Sequence, residues 1–206
     1  MKTTASSVFE QNFSVRDIAR SLPSFDDTTS AAIARDVMQV RGWDCAGVRT
    51  GGLVSGYVEL AELQSGTCAD FAHPLTAELV VEDTLPLAPL VIRLKERPRL
   101  FLAYLGNVAG VVQRSDLEKE PARMWLFGMI TLLEMRFSRL IQEHCPGESW
   151  TQYLSPARVQ KCRDLLANRL RQNPRLALSD CLQFGDKVQI IARHEPLRTC
   201  LLYTSP

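Results

Sequence analysis

LFLAYLGNVAGVVQRSDL, residues 100–117, decides how the rest of the chain is read. Leu100 to Leu105 is an apolar run, Gly106–Asn107 a turn signal and Val108 to Val112 a second apolar run. Asp116 then stands where a long helical pattern opens. Two short apolar runs split by a glycine-containing turn predict a β-hairpin. An earlier stretch, CAGVRTGGLVSGYVELAEL at residues 45–63, has the same grammar, with Gly51–Gly52 as its turn. Two such hairpins in register, about 50 residues apart, mark an internal repeat.

Each hairpin follows a helical pattern. Ala31, Ala32, Ile33, Val37 and Met38 mark a helix of about three turns behind the N-cap candidates Thr28, Thr29 and Ser30, and Gly42 ends it. In the second copy Val80–Val81 predicts a short strand, and Glu82–Thr84 cap a helix over residues 85–95 that takes Pro86 in its first turn. Val15, Ile18, Ala19 and Leu22 predict a short helical entry stopped by Pro23, after a polar arm at residues 1–14. Residues 60–63 open another helix, and residues 64–76 read as a linker.

After Asp116 the pattern becomes strongly helical. Leu126, Ile130, Leu133, Phe137, Leu140 and Ile141 form one stripe, and Trp125, Met129 and Leu132 an adjacent one. A helix apolar over so much of its girth, residues 122–145, predicts burial from several sides, as a bridge or a dimer element. Pro146–Gly147 breaks it, and Ser155–Pro156 starts the next helix with its buried stripe at Val159, Cys162, Leu165, Leu166 and Leu170. Asn173–Pro174 ends that helix. Two further short helices, residues 176–184 and 188–191, are separated by Gly185–Asp186.

Composition bounds the class. The chain has 206 residues, 46% hydrophobic and 23% charged, with a formal net charge of +1. That is an ordinary globular balance with no global field to attract nucleic acid or membrane. No apolar stretch approaches the roughly 20 residues a membrane helix needs, and the N-terminus has no signal-peptide core. A cytoplasmic protein is expected, with Cys45, Cys68, Cys145, Cys162, Cys181 and Cys200 as free thiols. No metal spacing, nucleophile elbow or phosphate-binding glycine loop occurs.

The repeat resembles two copies of the cystathionine-beta-synthase (CBS) motif, whose closing signature is Gly, two apolar residues, Thr or Ser, two variable residues and Asp. The second copy reads Gly110, Val111, Val112, Gln113, Arg114, Ser115, Asp116; the first reads Gly56, Tyr57, Val58, Glu59, Leu60, Ala61, Glu62. The resemblance implies an α/β (α+β) fold: a tandem CBS-domain pair (Bateman module) with motifs at residues 15–66 and 74–121. The linking helix at 122–145 would lead to a small all-helical C-terminal domain at 147–206. The phrase LSDCLQFGDKVQII is similar to tails of bacterial proteins that carry a helical domain after such a pair.

The resemblance further implies a regulatory protein, not an enzyme, that binds an adenine nucleotide and transmits its occupancy to the helical tail or a protein partner. AMP, ADP, ATP and S-adenosylmethionine are the ligands it implies, with no resident cofactor, and a homodimer is expected. Asp116 would accept from the ribose hydroxyls, Gln113 would face the phosphate, and Arg114 would supply charge to it. Glu62 would hold a ribose in the first site, where Glu59 repels phosphate. One alternative is a CBS-gated ribonuclease tail, because Arg139, Leu140 and His144 resemble the R-apolar-x-x-x-H pattern of HEPN ribonucleases. The other is a ligand-free dimerisation scaffold. The basic residues Arg158, Lys161, Arg163, Arg169, Arg171 and Arg175 read as the solvated face of a helix rather than a nucleic-acid surface.

Overall fold

In the computed structural model, residues 12–171 and 174–203 are described. The arm expected at residues 1–14 lies outside them up to residue 11, as does the helix stop at Asn173. The chain forms two compact units, Met1–Phe127 and Gly128–Pro206.

The first unit is a duplicated strand–helix–hairpin. Strand β2 (Ser24–Asp26), helix α1 (Ala31–Arg41) and the hairpin β3 (Cys45–Thr50)–β4 (Leu53–Glu59) make the first copy. Strand β6 (Val80–Glu82), helix α2 (Leu87–Glu96) and the hairpin β7 (Arg99–Tyr104)–β8 (Asn107–Gln113) make the second. Two short strands complete the sheets, β1 (Arg20–Ser21) and β5 (His73–Pro74), which give the orders β1-β8-β7-β6 and β2-β3-β4-β5. Strand β1 precedes the first copy in sequence but pairs with the second, at Arg20↔Val111 and Ser21↔Gly110.

The duplication holds at the level of single hydrogen bonds. The β-bulge falls after Val48 in one hairpin and after Leu102 in the other. Asp27 N–H donates to the Arg49 carbonyl and Asp83 N–H to that of Ala103, each at 3.0 Å. Ala69 N–H donates to the Asp27 carbonyl, and Arg16 N–H to the Asp83 carbonyl. An aspartate caps a short turn at each equivalent position, Asp17 on Ser14 N–H and Asp70 on Thr67 N–H. By this register Arg16 matches Ala69, Arg20 matches His73, and Arg99 matches Cys45.

Alternation along the strands sends side chains to opposite faces. Leu100, Leu102 and Val112 pack on α2 with Leu87, Leu90 and Leu94. Ala46, Val48 and Val58 pack on α1 with Ala34 and Met38. Between the sheets lie Leu22, Cys45, Phe101 and Val111, with Tyr57 against Phe101 at a ring separation of 4.7 Å.

Several expectations are corrected. The entry at Val15 is a single 3-10 turn, Val15–Asp17, followed by strand β1. Residues 60–62 form one 3-10 turn rather than opening a helix. The second hairpin turns at Leu105–Gly106, one residue earlier than the Gly-Asn signal indicates; Leu105 accepts a φ of 49° because the turn needs two left-handed residues, as Gly51 and Gly52 provide in the first hairpin. On α1, Ile33 and Val37 face outward because its short inward stripe is Ala31, Ala34 and Met38.

Helix α3 (Glu120–His144) opens four residues after Asp116, which sits in the separate 3-10 turn Arg114–Glu118. Its N-terminal turns give Ala122 and Trp125 to the first unit's core, and its C-terminal turns give Phe137, Ile141 and Cys145's neighbourhood to the second's. Its middle is less buried than its girth suggests: Leu126, Phe127, Ile130, Leu133 and Met135 are exposed. The second unit adds α4 (Pro156–Leu170), α5 (Phe184–Arg193) and α6 (Glu195–Tyr203) around Trp150, Cys162, Ile190 and Leu197. Ser155 caps α4 by accepting from Arg158 N–H. Gly185–Asp186 lies inside the first turn of α5 instead of separating two helices. Asp186 explains this: it caps Gln183 N–H at 2.8 Å and takes a bidentate pair from Arg158, both arms at 2.7 Å. Burial acts to raise the Asp186 carboxyl, but the Arg158 hydrogen bonds and the Gln183 N–H outweigh it and hold it below its ordinary value.

Two measurements follow from this architecture. A Cβ at Gly56 would stand 2.8 Å from the His73 carbonyl oxygen on β5, so Gly56→Ala is expected to cost about 1–3 kcal/mol in urea unfolding. Asp186→Asn is expected to cost about 2 kcal/mol near neutral pH. Because the folded carboxyl lies low, that difference is full above the ordinary carboxylate value of 3.8 and closes as pH falls through the folded one, which thermal melts across pH would follow.

Candidate functional site

Both closing signatures end on strands whose neighbours are fixed by the hairpins. Glu59 pairs across β4–β3 with Cys45, and Gln113 pairs across β8–β7 with Arg99. The four positions, with Asp44, form a polar cluster between the two copies.

Asp116 is only 3% exposed. Its Oδ2 accepts from Gln113 N–H at 2.8 Å, and its Oδ1 lies 3.3 Å from Arg20 Nε and 3.0 Å from Lys119 Nζ. Glu62, the matching acid of the first copy, is exposed and meets His73 Nε2. Arg20 and His73 sit on the equivalent strands β1 and β5, opposite Val111 and Tyr57. Each signature acid therefore faces a basic side chain from the short added strand, buried in one copy and open in the other.

Gln113 bridges the copies. Its Nε2 donates to Asp44 Oδ2, and its Oε1 accepts from Arg20 Nη2 at 2.8 Å. Arg114 points elsewhere: Nε donates to the Leu94 carbonyl and Nη2 to that of Lys95, at the C-terminal end of α2. Cations at helix C-termini satisfy the last carbonyls. Arg114 thus borders a separate cavity of about 310 Å³ with Leu94 and Leu117.

Sequence reading missed Arg20, Asp44 and Arg99. The Arg99 side chain is 13% exposed, with Nη2 3.3 Å from Asp44 Oδ2 and Nη1 3.5 Å from Glu59 Oε1. Its Nε and Nη1 are buried and make no hydrogen bond. Unmet donors of a buried guanidinium are costly, and they leave it ready for an acceptor. The sequence signal was only approximate: a plain hairpin turning at residues 105–106 sets position 99 opposite 112, and the bulge after Leu102 shifts it to 113. Burial raises the Asp44 carboxyl, but the Gln113 hydrogen bond and the Arg99 charge outweigh it and hold the group below its ordinary value. Burial pushes the neighbouring Cys45 thiol up to about 11, with the Arg99 charge opposing, so it is no nucleophile near neutral pH.

The ribonuclease-like residues lie apart from this cluster in sequence. Arg139 and His144 are exposed on α3, and His144 Nδ1–H donates to the Leu140 carbonyl at 3.0 Å, within its own last turn. Among the described residues no group of His, Cys, Asp and Glu could hold a metal ion, and no helix is long and apolar enough to cross a membrane.

No protein-family model matches the sequence, and no curated protein matches it. Solved structures do. The CBS domain of a bacterial CNNM/CorC-family Mg2+ transporter, in complex with ATP, has 17% identity over 57% of this chain and 92% of its own, at a TM-score of 0.46. CBSX2 in complex with AMP has 17% identity over 56% of this chain and 98% of its own, also at 0.46; CBSX2 is a CBS-pair protein of Arabidopsis thaliana. A CBS domain-containing protein of Bacillus anthracis has 13% identity over 52% and 91%, at 0.46. In fold, the chain is similar to tandem CBS modules. Each of these matches covers between 52% and 57% of this chain.

The polar cluster makes a direct stability prediction. Arg20→Ala would leave buried Asp116 with Lys119 as its one cation and remove the Gln113 acceptor's donor. A loss of about 1–3 kcal/mol is expected in urea unfolding, and Arg20→Lys should recover part of it.

Proposed function

We propose that this chain is a regulatory CBS pair that binds an adenine nucleotide in the cleft between its two copies, and that the helical unit or a protein partner reads the occupancy. The observation that carries this reading is Arg99, a mostly buried guanidinium with unmet donors beside Gln113 and Asp44. Phosphate oxygens satisfy such donors with charge-assisted hydrogen bonds. Asp116 would take the ribose hydroxyls through Oδ1, in exchange for Arg20 or Lys119, while Oδ2 keeps its cap on Gln113. Gln113 would turn from Asp44 to the ligand. Arg114 takes no part, being spent on α2. Glu62 with His73 forms a second, weaker position without a buried cation.

Regulation requires that the ligand favour one arrangement over another. The Gln113–Asp44 hydrogen bond it would exchange joins the copies to each other, and α3 begins directly after the turn that carries Asp116. A nucleotide would therefore trade inter-copy links for ligand contacts at the root of the helix that enters the second unit. A homodimer formed through the CBS faces is consistent with this role.

Calorimetric titration with AMP, ADP, ATP and S-adenosylmethionine tests the proposal. Saturable binding of at least one is expected, weakened at least tenfold in Arg99→Met and in Asp116→Asn. Arg99→Met is expected to unfold within about 1 kcal/mol of the parent, since a buried, under-satisfied cation contributes little to stability. Wild-type protein that binds none of the four, or binding that survives Arg99→Met unchanged, would overturn the proposal.

A further inference from the structure

The duplication also allows each copy to be compared with its twin away from the cleft. In the second copy Arg16 leans over Asp83, with Nη1 3.8 Å from Oδ2. Asp27 is the equivalent aspartate of the first copy, fixed by the same backbone bonds: its N–H to Arg49 and its carbonyl from Ala69. At the place of Arg16, however, the first copy has Ala69. The arginine that covers one aspartate is missing over the other.

A cavity of about 260 Å³ lies there, lined by Asp27, Thr50, Ser55, Ala69 and His73 among others. It lies on the side of β3 and β4 where Val48 and Gly56 point, whereas Tyr57 points between the sheets toward Phe101. The cavity shares His73 with the Glu62–His73 pair, but none of Asp44, Arg99, Gln113 and Asp116 lines it. Asp27 makes no ion pair among the described residues. The Thr50 hydroxyl accepts from the Ser55 hydroxyl at 3.1 Å, which leaves its own proton and second lone pair for a ligand.

We infer that this cavity is a binding site for a guanidinium or primary ammonium group, which takes the place over Asp27 that Arg16 takes over Asp83. The pocket supplies one carboxylate, two hydroxyls and small apolar walls from Ala69, Ala72 and Pro74. Its volume lies below that of drug-sized sites, and suits a short chain ending in a cation. Such a group belongs to a small amine or to an arginine or lysine side chain of a partner protein; the recognition chemistry is the same. The site does not depend on the cleft binding a nucleotide.

Agmatine and N-acetyl-arginine amide are suitable probes, followed by calorimetry and by NMR shifts of the Asp27, Thr50 and Ala69 amides without nucleotide. Saturable binding near one equivalent is expected for wild-type protein. Asp27→Asn should weaken it at least tenfold, and Ala69→Arg, which installs the twin's own arginine, should abolish it while the fold is kept. Conversely, Arg16→Ala should open a second equivalent over Asp83. Agmatine binding without the capped arginine points to a small-amine ligand, and binding of the capped arginine points to a protein side chain; either supports the site. No saturable binding of either probe, or binding indifferent to both Asp27→Asn and Ala69→Arg, overturns it.

Discussion

The exchange of strand β1 is the constraint on which the first unit depends. Arg20–Ser21 pairs with the second copy's β8, and three residues later the chain has crossed into the first copy's sheet at β2. Leu22 N–H donates to the Ala109 carbonyl, and the Pro23 carbonyl accepts from Gly47 N–H, so consecutive residues bond to different sheets. Nothing bulky fits where the strand crosses: a Cβ at Gly110 would stand 3.1 Å from the Arg20 carbonyl oxygen. The same crowding recurs at Gly56 under β5. The glycine that opens each signature is thus a steric requirement of strand pairing, and it brings a basic residue over each signature acid.

Functional differences arise where the copies depart from symmetry. Cys45 and Arg99 are twins, yet one is an inert buried thiol and the other a buried cation with unmet donors. Glu62 meets a histidine in the open, whereas Asp116 is enclosed by Arg20 and Lys119. Ala69 leaves a cavity where Arg16 bridges to Asp83. A duplicated frame keeps the backbone constant, so each difference isolates the effect of one side chain.

The repeat was legible because hairpins are written locally: an apolar run, two turn residues and a second run determine their own pairing. Helix α1 was legible from its period and caps, α3 from its period and α4 from Ser155–Pro156. What the sequence hid depends on distant partners. Strand β1 has two residues and no pattern of its own; only β8 makes it a strand. Asp186 looks like a helix breaker after Gly185, until Arg158 from α4 turns it into a cap. In the candidate site the signature residues Gln113 and Asp116 were readable, and the structure brings them together with Glu59 nearby through Arg99. Arg114 was implied by the resemblance, but strand β8 ends at Gln113 and the Arg114 side chain turns to α2. Arg20 and Asp44 lie far from the signatures in sequence and enter only through the exchange of strands.

Whether a nucleotide occupies the cleft is read residue by residue, in the intact chain, by amide hydrogen exchange with and without saturating AMP or ATP. Slowed exchange is expected at Arg20–Ser21 and at residues 113–116, with the start of α3 altered in rate, and no such change in Arg99→Met. Unchanged exchange at these residues under saturating nucleotide, or protection confined to the helical unit, would contradict nucleotide occupancy of the cleft.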